Sequence, residues 1–279
     1  MPCKGDCCIL LWRVSMMKRV EIIAIGREIL RGQTLDTNSQ WLARRITALG
    51  ARVGRIVVPD DEVEAIAQEI RRAFRNGAEV IITTGGMGPT FDDRTLEGVA
   101  AAVGVPLEID PWALDFVRRR YEEFYRKGFV DDPSLTPQRE KMARLPKGAT
   151  PLPNPVGAAP GVFMEMEEGV IFSLPGAPRE MKPLFEEEVL PRLKEILGVG
   201  AYLEEELDTG LKDESALAQL IEKVMKKVPG VYIKSKPTRF GPDVSLKVVL
   251  SAAGKEEAEI RTRLSEAKGL LTSMLTSSD

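Results

Sequence analysis

The chain alternates between short apolar runs and segments in which apolar residues return every three or four positions. Residues 20–25 (VEIIAI), 52–58 (RVGRIVV) and 78–84 (AEVIITT) are β-rich runs, the first interrupted by one acid. Between them, residues 37–49 carry Trp41, Leu42, Ile46 and Leu49 at helical spacing, with Asp36 or Thr37 placed to cap, and residues 61–74 carry Val63, Ile66, Ala67, Ile70 and Phe74. Apolar strands separated by helices predict right-handed βαβ crossovers and an α/β fold, a mostly parallel sheet flanked by helices. Helices are also predicted over 93–103 and 111–127, with a loop at 129–137. Residues 151–163 (PLPNPVGAAPGVF) hold too many prolines and glycines for regular structure. They lead into a hairpin, 162–167 with 170–174, whose turn contains Gly169. A second Gly/Pro loop then feeds a helix that ends near Gly198.

From residue 201 the order becomes strand (202–207), helix (214–228), strand (231–236), strand (244–250) and helix (256–271), with turns at Pro229-Gly230 and Gly241-Pro242. This predicts a small α+β domain over 199–279, following a larger domain over 18–198 and an N-terminal extension over 1–17.

Composition removes several chemistries. The chain has no histidine, which excludes Ser–His and Cys–His pairs and His-ligated zinc. Cys3, Cys7 and Cys8 are its only cysteines; two adjacent plus one lack a fourth zinc ligand, and no thiol remains for a disulfide framework or nucleophile elsewhere. Any metal is therefore expected on oxygen ligands, as Mg²⁺ or a similar hard cation. The 39 basic and 42 acidic residues are interspersed, giving a net charge of -3 and no global footprint for nucleic acid or an anionic membrane. The apolar run at 7–12 is too short for a secretory core or a membrane span, so a cytoplasmic protein is expected.

Ligands of open α/β sheets bind beyond the carboxyl ends of the strands. Three loops qualify: Gly26-Arg27-Glu28, Pro59-Asp60-Asp61, and TTGGMGPTFDDRT at residues 83–95. Glycines there would let backbone N–H groups meet an oxyanion such as phosphate. Aspartates beside such a loop would repel phosphate unless a cation bridges them, so Asp60 and Asp93 are candidate metal ligands, with Asp92 or Glu28 as a further ligand or base. The pattern predicts metal-assisted chemistry at a phosphoanhydride. Each piece also has a purely structural reading: Asp92-Asp93 as a helix cap, Pro59-Asp60 as a capped turn, Glu28 as a surface partner of Arg27 and Arg31, and the two later Pro/Gly loops as rigid connectors.

Several of these segments form a recognisable set. TTGGMGPTFDDRT, IGREILRGQTLDTN (25–38), NPVGAAPGV (154–162) and LPGAPREMKPLFEEEVLP (174–191) resemble the signatures of the molybdopterin-binding (MoaB/Mog-like) domain at the N-terminus of the competence-damage-inducible protein A (CinA) family. The resemblance covers residues 20–197. It implies a Mog-like fold and, for the C-terminal unit, similarity to a small ferredoxin-like or KH-type domain. The nicotinamide-nucleotide deamidase domain of bacterial members would follow this region, so that activity is not carried over.

The resemblance implies a divalent-metal-dependent (Mg, Mn or Co) pyrophosphatase acting on ADP-ribose and, in related proteins, on FAD. Mog-type relatives instead adenylylate molybdopterin with carboxylates at positions matching Asp60 and Asp93. In this reading Asp60 and Asp93 hold metal, and Asp92 or Glu28 orients water. Gly26, Asn38, Thr84, Gly85, Gly86, Gly88, Pro89 and Thr90 contact phosphate or substrate. Asn154, Gly157, Pro175, Gly176 and Pro178 line the nucleotide pocket. Arg27 departs from the family, which more often shows Asp, Asn or Thr there. The rival from another class is a non-catalytic pterin or nucleotide sensor. RNA binding through Lys234, Lys236 and Arg239 is not expected, because the KH-like unit shows no convincing G-x-x-G loop. Related proteins suggest a homo-oligomer, a dimer or trimer.

Overall fold

The computed structural model describes residues 18–198, 201–211, 213–237, 246–254 and 256–276. The N-terminal extension with its three cysteines, Arg239 and the Gly241-Pro242 turn lie outside them. No helix among the described residues is long and apolar enough to cross a membrane.

The larger compact unit, residues 18–46 and 52–196, is built on a six-stranded sheet. Its strands are β1 (Arg19–Ala24), β2 (Arg52–Val57), β3 (Val80–Thr84), β6 (Thr150–Leu152), β7 (Gly161–Met166) and β8 (Gly169–Leu174), in the order β2-β1-β3-β8-β7-β6. Pairs β1–β2, β1–β3 and β3–β8 are parallel, whereas β7–β8 and β6–β7 are antiparallel. The parallel strands are joined by α1 (Arg27–Leu30), α2 (Thr37–Ala48) and α3 (Val63–Arg75). After β3 come α4 (Thr95–Val103) and α5 (Pro111–Arg126), then α6 (Pro137–Lys141), with β4 (Leu107–Ile109) and β5 (Arg144–Pro146) forming a separate two-stranded ribbon.

Strand alternation divides the core. Ile23, Ile81 and Ile171 share one buried cluster with Ile66, Ile70 and Ala73 of α3 and Val99 of α4. Ile22, Ile82 and Phe172 stand at adjacent register positions on the opposite face and are fully buried. The one acid in β1, Glu21, is also fully buried. A bulge at Gly54 sets Arg55 opposite it. Glu21 then accepts from Arg19 (2.7 Å) and Arg55 (3.0 Å), and Arg55 continues to Glu69 of α3 (2.8 Å).

Several local expectations are corrected. The β7–β8 turn is Glu167-Glu168, and Gly169 is already the first residue of β8, paired with Met166. The segment 151–163 is not wholly irregular: Pro151 lies in β6, an edge strand where a missing N–H is tolerated. The helix after the second Gly/Pro loop is three pieces, α7 (Pro178–Leu184), a π-helical turn (Phe185–Val189) and α8 (Leu190–Leu197). Pro191 has no N–H to continue an α ladder, and Leu190 N–H reaches back five residues to Phe185 instead.

The smaller unit contains β9 (Ala201–Asp208), α9 (Glu214–Lys227), β10 (Val231–Pro237), β11 (Leu246–Gly254) and α10 (Glu257–Thr276). Its sheet is antiparallel with β11 central, in the order β10-β11-β9. One core cluster joins Leu217, Ile221 and Val224 of α9 to Ile260, Leu264 and Leu271 of α10 over Val248 and Leu250. Among the described residues the order β-α-β-β-α is the ferredoxin-like arrangement short of its last strand.

Because Glu21 is buried between two arginines, Glu21→Ala would leave Arg19 without its carboxylate partner and Arg55 with Glu69 alone. The expected cost is about 2 kcal/mol, discounted because both arginines keep some exposure. Guanidinium unfolding checks this, and Glu21→Ala combined with Arg19→Met and Arg55→Met should recover part of the loss.

Candidate functional site

The parallel order β2-β1-β3 reverses direction between β1 and β3, which opens a crevice at their carboxyl ends. The strand ends are tied there by backbone bonds, Ile25 N–H to Thr84 O (2.8 Å) and Gly85 N–H to Leu174 O (3.0 Å). Gly85 has φ 100°, and a Cβ on it would lie 2.0 Å from the Ile25 carbonyl oxygen. At Gly86 (φ 61°) a Cβ would meet Thr95 Oγ1 at 2.4 Å. Only glycine fits both positions. Thr95 locks the turn, donating its hydroxyl to Gly85 O (2.7 Å) and its N–H to Gly86 O (3.1 Å).

A cavity of about 400 Å³ lies over this junction. Of the expected site residues, Gly26, Glu28, Asn38, Thr84, Gly85, Gly86, Gly88, Thr90, Asp92, Asp93, Pro175, Gly176 and Pro178 line it. Asp60, Pro89, Asn154 and Gly157 do not. The expected N–H cradle also shifts by one residue, because Gly85 N–H is spent on Leu174 O; among the described residues the N–H groups of Gly86, Met87 and Gly88 have no protein partner.

Asn38 links two loops from beneath. Its Nδ2 donates to Thr84 Oγ1 (3.1 Å) and Gly176 O (2.8 Å), while Thr84 Oγ1 donates to Pro175 O (3.1 Å). Among the described residues Asn38 Oδ1 is buried without a partner. Asn154 acts at a distance from the cavity. Its Oδ1 accepts from Val156 N–H and Gly157 N–H, and its Nδ2 donates to Ala159 O and to Glu180 Oε2 (3.1 Å). Glu180 does line the cavity. It was missed in the sequence because nothing local distinguishes it from the other acids of its helix.

The carboxylates fall into distinct environments. Asp93 Oδ2 accepts from Thr90 N–H (2.8 Å) and Thr90 Oγ1 (2.6 Å), and the Thr90 hydroxyl also reaches Asp92. Neither aspartate caps α4, whose first residue lies beyond Arg94. The Thr90 hydroxyl holds the Asp92 carboxyl below its ordinary range. Asp60 is drawn onto Arg27, whose Nε and guanidinium nitrogen both lie 2.7 Å from its Oδ1, and that hydrogen bond holds its carboxyl low. Its neighbour Asp61 takes the cavity wall instead, and burial pushes its carboxyl up. Glu28 lines the cavity and accepts no side-chain hydrogen bond among the described residues.

The donor set is oxygen alone. Among the described residues no three acidic, histidine or cysteine side chains converge to hold a metal ion. A Mg²⁺-type cation commonly takes only one or two carboxylates, with water and substrate phosphate completing its shell, so the residues present fit that mode and not a closed protein cage.

The chain is similar to several known proteins. A protein of Aeropyrum pernix is 46% identical over 243 residues, covering 86% of this chain and 88% of the relative. One of Pyrococcus horikoshii is 42% identical over 250 residues, covering 90% and 95%. The crystal structure of the protein CinA, of unknown function, from Thermoplasma acidophilum is 35% identical, with a TM-score of 0.57 over 65% of this chain and 99% of that one. Residues 21–195 match the model of the molybdenum cofactor biosynthesis family, described as a probable molybdopterin binding domain. By sequence and by fold, the chain belongs to that family as a CinA-like member with a Mog-like domain.

Proposed function

We propose that the chain is a divalent-metal-dependent pyrophosphatase that hydrolyses an adenylate-linked phosphoanhydride, that of ADP-ribose or of FAD. The observation that carries this reading is one cavity lined both by residues with open N–H groups and by acids. Gly86, Met87 and Gly88 supply three donors to phosphate oxygens, and Glu28, Asp61, Asp92 and Asp93 supply the carboxylates.

Asp61 and Asp93 are the residues that would hold the cation, with Asp60 joining only if Arg27 releases it. Burial disfavours the charged form of Asp61, and a bound cation would reverse that penalty. Such a cation would neutralise charge on the phosphates and on the aspartates together. Glu28 is the favoured base, since it lines the cavity and accepts no side-chain hydrogen bond among the described residues. Water adds to one phosphorus, the bridging P–O bond breaks, and the proton from water passes to Glu28. The products are AMP and a second phosphate monoester.

A second reading, adenylyl transfer to molybdopterin, is favoured by the family's description. It predicts product from ATP plus pterin where ADP-ribose plus metal gives none. In either reading the ligand is a small nucleotide or pterin, and the working form is a homo-oligomer.

AMP release from ADP-ribose and FAD, with Mg²⁺, Mn²⁺, Co²⁺ or EDTA, is the direct test. Asp93→Asn and Asp61→Asn should each lower kcat at least about 100-fold with the fold intact, whereas Asp60→Asn should cost much less. Undiminished turnover in Asp93→Asn would overturn the assignment. Carboxyl NMR should show adjacent aspartates splitting. The midpoint of Asp60 should lie below the ordinary value and that of Asp61 above it; Arg27→Gln should move Asp60 upward.

A further inference from the structure

A second cavity of about 440 Å³ adjoins the first. Both are lined by Glu28, Asp61 and Asp92, so the three carboxylates form a shared wall. Beyond that wall the chemistry differs. The second cavity is also lined by Arg27, Arg31, Arg94, Phe91 and one further acid, Glu62, which pairs with Arg27 (3.6 Å) and Arg94 (3.5 Å). Arg27 and Arg94 are ion-paired, to Asp60 (2.7 Å) and to Glu97 (3.1 Å), but Arg31 has no ion pair among the described residues. Phe91 is 91% exposed. A single exposed apolar residue is unremarkable on an open surface, but this ring stands at the rim of a cavity whose other named groups are charged. Its face is free to stack, and the neighbouring guanidinium is free to meet phosphate.

We propose that this second cavity is the subsite for the distal half of a two-headed substrate, and that it favours a distal aromatic ring over a sugar. The proposal rests on the pyrophosphatase reading for the position of the bond to be cleaved, at the shared carboxylates. The adenylate half occupies the glycine-loop cavity, Arg31 takes charge on the distal phosphate, and Phe91 stacks on the distal ring. Phe91 and Arg31 are thus specificity residues and take no part in bond breaking. A mononucleotide fills only the first cavity and does not reach them.

Titration calorimetry with AMP, ADP-ribose and FAD, run in EDTA and again in Ca²⁺, tests this without requiring turnover. Both side chains are exposed, so Phe91→Ala and Arg31→Ala should fold as wild type does. Wild type should bind FAD more tightly than ADP-ribose, and ADP-ribose more tightly than AMP. Phe91→Ala should weaken FAD about tenfold, in the range of base–aromatic stacking, while changing ADP-ribose and AMP less than about twofold; Phe91→Trp should restore FAD binding. Arg31→Ala should weaken both two-headed ligands and spare AMP. Equal weakening of all three ligands by Phe91→Ala, no weakening, or no binding by wild type would overturn the subsite. Hydrolysis by wild type with unchanged binding in the variants would remove the subsite alone. The predicted binding pattern without hydrolysis would instead remove the pyrophosphatase reading.

Discussion

The site depends on one close approach, that of Gly85 to the carbonyl of Ile25. Any Cβ at Gly85 would sit 2.0 Å from that oxygen, far inside contact distance, so the ends of β1 and β3 meet only because the side chain is absent. This approach lets Ile25 N–H reach Thr84 O and Gly85 N–H reach Leu174 O, tying three parallel strands at their carboxyl ends. Without it, the loops after β1, β3 and β8 would have no common edge on which to build a cavity.

The acids around this junction are sorted by their surroundings more than by their spacing. Asp60 and Asp61 are neighbours in the chain, yet Asp60 takes the Arg27 side chain while Asp61 accepts from the Arg27 N–H and lines the cavity. Asp92 and Asp93 share the Thr90 hydroxyl, which has a single proton to give. Environments that push neighbouring carboxyl groups apart are a means by which one fold separates acid, base and ligand roles. Arg27 belongs to this sorting as much as any acid does, because its side chain binds Asp60 and its N–H binds Asp61.

Much of the architecture was legible because its signals are local. The runs VEIIAI and AEVIITT are apolar on both faces, and interior parallel strands require that. Asp36 caps α2 as its position before the periodic segment suggests, accepting from Ser39 N–H. The short elements were not legible: α1, β4 and β5 span three or four residues, too few for any periodicity to develop. Pro191 was visible, but its effect, a π-helical turn, depends on which carbonyl the next free N–H can reach. The hairpin turn moved off Gly169 for a similar reason, since β8 starts where Gly169 pairs with Met166 of β7 and not where the loop residues end.

For the site, the sequence by itself determined the loops, the glycines and the exclusion of histidine and thiol chemistry, because these follow from residue type and order. It also determined that acids and glycines would gather on one sheet edge, since βαβ order places all such loops there. Only the tertiary structure decided that Asp61 and not Asp60 lines the cavity, that Gly85 spends its N–H on β8, and that Asn154 works through Glu180. Each of these turns on a partner between 26 and 89 positions away in the chain. Hydrogen bonds and ion pairs of that range are settled by packing and leave no mark in the local pattern.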